Sequence, residues 1–113
     1  MTFLSEEAAK YNMAIGLKNA GKVIDDVIGI VDFSVNEQCD EYNECDTYST
    51  FIDNGKPVFH IEYPDGTPGN VQDSVAEAIC NSKGSGNFST VIKTMDLDGW
   101  VQYCDGSTFE TKQ

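Results

Sequence analysis

Four apolar stretches, at about residues 13–19, 33–37, 56–63 and 88–94, alternate with segments of helical pattern. That alternation limits the chain more than any other feature. The first stretch, "MAIGLKN", is too short for a helix and reads as a buried strand. "GKVIDDVIGIVD" then places Val23, Ile24, Val27, Ile28 and Val31 on one helical face. "FSVN" is the second strand and "DTYSTFID" a short helix, with Asn54-Gly55 as its stop signal. "KPVFHIEY" is a third strand, with Pro57 tolerated near its start. "VQDSVAEAICNS" is a helix turning Val71, Val75, Ala78 and Ile79 inward, and "FSTVIKTM" is the fourth strand. A helix capped by Ser5 precedes the series and runs to Lys10, with Glu6 and Glu7 in its first turn. "DLDGWVQYC" reads as a short helix or turn, followed by a frayed tail.

Strands alternating with helices imply parallel strands joined by crossovers, and strands covered on both faces are apolar on both. Four such units suit a small flavodoxin-like sheet or half of a (β/α)8 barrel. The chain has 113 residues, 40% of them hydrophobic and 23% charged, which fits a single small globular domain over residues 1–113.

Charge narrows the partners. Nineteen acidic residues face seven lysines and no arginine, for a net charge of −12. Nucleic acid needs a basic footprint, so it is not an expected partner. Anionic membranes are disfavoured for the same reason, and no apolar run is long enough to cross a bilayer. A cationic ligand is attracted. The start, "MTFLSEEAAKY", lacks the basic and apolar regions of a secretory signal. A removed leader or a start inside a longer protein would account for that.

The four cysteines form no CxxC, and His60 is the only histidine, so disulfides are expected rather than a metal site. Disulfides imply an oxidising, extracellular setting, and Asn87-Phe88-Ser89 is an N-glycosylation sequon consistent with it. Of the three connectivities open to four cysteines, Cys39–Cys45 and Cys80–Cys104 are expected. The first would bracket a short acidic loop; the second would tie the last helix to the terminal turn. No cofactor is expected.

The strand ends carry the chemistry. They read Lys18-Asn19, Asn36-Glu37-Gln38, Glu62-Tyr63 and Lys93. The C-terminal ends of parallel strands form the functional face in both candidate folds. "KNAGK" has no phosphate-loop or dinucleotide pattern. A flavodoxin-like signalling domain fails on that count and for want of an acidic pocket at the first strand. Ser34 lies inside a strand and His60 falls mid-strand, where a neutral core imidazole is the ordinary outcome.

"GLKN", "DFSVNEQCDEYNEC", "FIDNGKPVFHIEY", "STVIK" and "LDGWVQYC" together resemble the second half of glycoside hydrolase family 114. These are endo-α-1,4-polygalactosaminidase-like (β/α)8 barrels. The resemblance runs from about Glu7 to Cys104 and implies that the four strands correspond to barrel strands five to eight. It also implies a catalytic role for Glu37, which matches the Glu of the family's "NEQ" motif. The family's partner Asp, near the end of the fourth barrel strand, has no counterpart in this chain.

Glycoside hydrolysis commonly uses two carboxyl groups across the scissile bond. Within this chain Glu62 is the expected second one. Neighbouring strands would put the two carboxyls roughly 5 to 8 Å apart. The competing expectation is that Glu62 pairs with Lys18 or Lys93 and only shapes the pocket. Lys18, Asn19, Asn36, Gln38, Tyr63 and Lys93 are expected to bind sugar. The implied partner is a cationic, amino-sugar polysaccharide. A half-barrel would leave two strand edges and inner-face residues such as Ile15, Val35 and Phe59 exposed, so a homodimer is expected to complete it. The alternative reading is an inactive half-barrel serving carbohydrate binding or self-association.

Overall fold

Successive strand residues point to opposite sides of a sheet, and here that alternation separates a covered face from an open one. On one side lie Leu17, Ser34, Asn36, Val58, His60, Glu62 and Ile92, all buried. On the other lie Gly16, Lys18, Phe33, Val35, Glu37, Phe59, Ile61 and Val91, which are half-buried or exposed. The computed structural model describes residues 2–111.

The elements run α1 (Thr2–Lys10), β1 (Gly16–Lys18), α2 (Ile24–Val27), β2 (Phe33–Glu37), α3 (Cys45–Asp53), β3 (Val58–Glu62), α4 (Asp73–Cys80), β4 (Ser89–Ile92), β5 (Trp100–Tyr103) and β6 (Thr108–Glu110). One 3₁₀ turn, Gly21–Val23, leads into α2. All six strands form one sheet in sequence order. β1 to β4 are mutually parallel, as the alternation implied. β5 and β6 then pair antiparallel, where a helix or turn and a frayed tail were expected. Val101 and Tyr103 are β-formers, and Asp105-Gly106 supplies the hairpin turn, with Gly106 at φ +88. Lys112 and Gln113, the end of the expected tail, lie outside the described residues.

The core sits between the sheet and its helices. Ile24, Val27 and Val31 meet Leu17, Val58, Tyr48 and Phe51 in one cluster. Ile79, Ile92 and Trp100 form a second, smaller one. Each fully buried aliphatic or aromatic side chain contributes roughly 1.5–3 kcal/mol. α3 ends as its Asn-Gly pair predicts. Gly55 takes φ +71, and the N–H groups of Gly55 and Lys56 close onto Ile52 and Phe51.

Several boundaries differ from expectation. The 13–19 strand shrinks to Gly16–Lys18, with Met13 exposed. Ser5 lies inside α1 and caps nothing; its hydroxyl donates to the Ile30 carbonyl at 2.7 Å. In α4 only Ile79 is buried, and Val75 faces out. The free edge expected at β4 is taken by β5, through Val91 and Ile92. Both expected disulfides are formed, Cys39–Cys45 and Cys80–Cys104.

Candidate active site

The C-terminal ends of β1, β2 and β3 meet at Glu37. Just after β1, Asn19 lies in the left-handed region, at φ +52, which Asn tolerates better than most residues. That turn aims the Asn19 side chain across to β2. Its Oδ1 accepts the Glu37 N–H at 2.8 Å and the Asn36 Nδ2 at 3.4 Å. Asn36, on the covered face, accepts the Cys39 N–H at 2.9 Å. Gln38 turns the chain at φ +67, and its side chain donates to Glu41 at 2.6 Å. Asn19, Asn36 and Gln38 therefore spend polar groups on shaping the turns around Glu37.

Glu37 itself points to the open face. Its side chain is 22% exposed, and Lys18 Nζ lies 3.3 Å from its carboxylate. Tyr63 lies on the other flank. Burial, then the charge of Glu37 and a hydrogen bond to it, push the Tyr63 phenol up to about 12. Lys93 continues β4 with its N–H on the Glu62 carbonyl at 3.0 Å. Its ammonium donates to the carbonyls of Asp98 and Trp100 at 2.9 and 3.0 Å, so it is committed to the β4–β5 loop.

Glu62 is elsewhere. Register pairs Glu37 with Ile61, and the next residue along β3 faces the opposite way. The expected Glu37/Glu62 pair therefore does not form on one face. Nor does Glu62 pair with either lysine. It is 3% exposed and bonded on the covered side. His60 Nε2 donates to Glu62 Oε2 at 2.5 Å, and His60 Nδ1 meets Thr90 Oγ1 at 2.9 Å. Glu62 also accepts the N–H groups of Asp40 at 2.9 Å and Glu41 at 3.4 Å. The expectation of a core imidazole for His60 holds, since the ring is fully buried. Sequence reasoning missed its partners Glu62 and Thr90, although a His-x-Glu pair in a strand necessarily shares a face.

A hollow between this loop and α4 is lined by Asp40, Glu41, Glu62, Tyr63, Asp65 and Val75, among others. Burial, with the charge of Glu62 next, pushes the Asp40 carboxyl up. A second hollow, on the β1 side, includes Asn19, Asn36, Glu37, Thr47 and Tyr48. The Cys39, Cys45 and His60 donor atoms lie within 4.8 Å of one another. Both sulfurs are in the disulfide, which removes them as metal ligands.

The model of glycoside-hydrolase family GH114 matches residues 1–109. The chain belongs to family GH114. A crystal structure of Aspergillus fumigatus Ega3 in complex with galactosamine is similar over 90% of this GH114 chain, with 57% identity and a TM-score of 0.82. The match covers 42% of the Ega3 chain, so this GH114 chain spans less than half of that relative's length. No curated protein matches it.

Proposed function

We propose that this chain is a glycoside hydrolase module acting on a galactosamine-containing polysaccharide, with Glu37 as acid or base. The observation that carries the reading is the position of Glu37. It is a partly exposed carboxylate at the end of a parallel strand, between Lys18 and the Tyr63 phenol. Membership of GH114 and the galactosamine complex of Ega3 support the substrate class. A net charge of −12 suits a polymer bearing free amines. Lys18 pairs with the acting carboxylate and Tyr63 flanks it, whereas Glu62 is a positioning residue for the loop after Gln38. Two disulfides support an extracellular setting, and no helix among the described residues is long and apolar enough to cross a membrane.

In this reading the six strands include half of a (β/α)8 barrel, and the open face is its interior. Phe33 and Phe59 meet edge to face there with ring centroids 5.8 Å apart, and Phe59 is 44% exposed. A second copy of the chain covers the Phe33 and Phe59 part of this face in a homodimer, leaving the Glu37 end of the strands open to substrate. Because β5 occupies the β4 edge, that dimer forms through the open face rather than by strand pairing at β4.

The second reading, a sugar-binding or self-associating half-barrel without activity, is favoured by one observation: Glu62 does not reach the face of Glu37. Release of reducing ends from a galactosamine polymer decides between them. Turnover by this chain that disappears in Glu37→Gln supports the hydrolase. Saturable polymer binding without any release supports the second reading.

A further inference from the structure

We infer that Asn87 is an N-glycosylation site, taking an oligosaccharide donated by a lipid diphosphate in the secretory compartment. Asn87-Phe88-Ser89 is an Asn-x-Ser sequon with no proline at its centre. A sequon is used only where the asparagine reaches solvent and the chain passes through an oxidising secretory compartment. The fold meets the first condition through the residue between the two polar ones. Phe88 turns inward, joining the larger core cluster and standing edge to face with His60 at 5.9 Å. Its N–H is fixed on the Ser85 carbonyl at 2.9 Å. With Phe88 turned in, Asn87 on the preceding turn and Ser89 at the start of β4 are both exposed. Asn54 and Asn81 donate their carboxamides to Thr50 and Glu77 carbonyls; the Asn87 carboxamide has no such bond to a described residue. The two disulfides meet the second condition, and to that extent the inference rests on the extracellular reading above.

In the transfer, Asn87 Nδ2 bonds to C1 of the first sugar. The C1–O bond to the lipid diphosphate breaks, the diphosphate leaves with the bonding pair, and Nδ2 gives up one proton. Asn87 precedes β4, whereas Glu37 and Glu62 end parallel strands β2 and β3. The glycan therefore projects from the end of the sheet opposite the candidate site and leaves the strand tops open. It also requires that the end bearing Asn87 face solvent in any assembly.

The test is to express the full 113-residue chain behind a secretory leader in yeast and map its peptides without reduction, before and after treatment with an amidase that removes N-glycans. The expected result is a mobility shift on treatment, with Asn87 recovered as Asp. Asn87→Gln and Ser89→Ala should lose the shift, and Ser89→Thr should keep it. Asn87 recovered unmodified in molecules carrying both disulfides would overturn the glycan and leave the compartment reading standing. Unmodified Asn87 in molecules with neither bridge would overturn both.

Discussion

Glu62 Oε2 accepts the Asp40 N–H at 2.9 Å, so the end of β3 holds the loop that leaves the Glu37 strand. The carboxylate most suggestive of a second catalytic group is buried on the helix side and acts through the backbone. It is fixed from below by His60, which Thr90 orients from β4. Three neighbouring strands are thereby linked beneath the turn that presents Glu37.

Replacing Glu62 with Ala leaves His60 Nε2 and the Asp40 and Glu41 N–H groups without their acceptor in a buried setting. Loss of about 3 kcal/mol of unfolding free energy is expected, from groups desolvated but unpaired. Urea unfolding measures it. Hydrogen exchange at Asp40 and Glu41 should accelerate; unchanged exchange there would mean that the loop is held by the Cys39–Cys45 bridge alone.

Glu37→Gln should leave the fold intact. The side chain is partly exposed, and its ion pair with the largely exposed Lys18 is worth about 1 kcal/mol or less. Thermal unfolding should shift only slightly while any polymer cleavage is lost. A steep drop in melting temperature would make Glu37 a structural residue instead.

Tyr63 should remain a phenol well past the point where free tyrosine ionises. Its folded pKa of about 12 lies above the ordinary value of 10.0, so the fold favours the neutral form. The unfolded chain releases this proton first. The stabilisation is therefore fully present below pH 10 and is lost as pH rises toward 12. Ultraviolet titration of phenolate should show the late group, and Glu37→Gln should move it down by removing the neighbouring charge.

The two disulfides should differ in their response to reductant. Cys39 and Cys45 are buried, whereas Cys104 is exposed. Mild thiol treatment followed by alkylation should label Cys80 and Cys104 first. Their bridge closes the longer loop, with a sequence separation of 24 against 6, and losing it should cost about 3 kcal/mol. Labelling of Cys39 first would show that its loop opens more readily than its burial implies.

Phe59→Asp should abolish self-association if the open face is a dimer interface. An obligate interface of this type buries more than about 2,000 Å² in total. Sedimentation of the wild-type chain as a stable monomer at micromolar concentration would remove the proposed homodimer.

Residue pattern alone determined the parallel β1–β4 order, because strands alternating with helical segments admit few topologies. It also determined the stop at Gly55, where a left-handed turn needs glycine, and carried the resemblance to GH114 that the family match over residues 1–109 bears out. The disulfide pairing was legible too, each bridge joining segments that the expected fold brings together. The tertiary structure decided what spacing along the chain does not encode. Val101 and Tyr103 became a strand rather than a helix once the β4 edge offered hydrogen-bond partners. Glu37 and Glu62 end neighbouring strands and look equivalent in sequence, but side-chain direction follows register as well as proximity. With Glu37 opposite Ile61, the pleat turns Glu62 to the buried side, where only His60 and two backbone N–H groups can satisfy it.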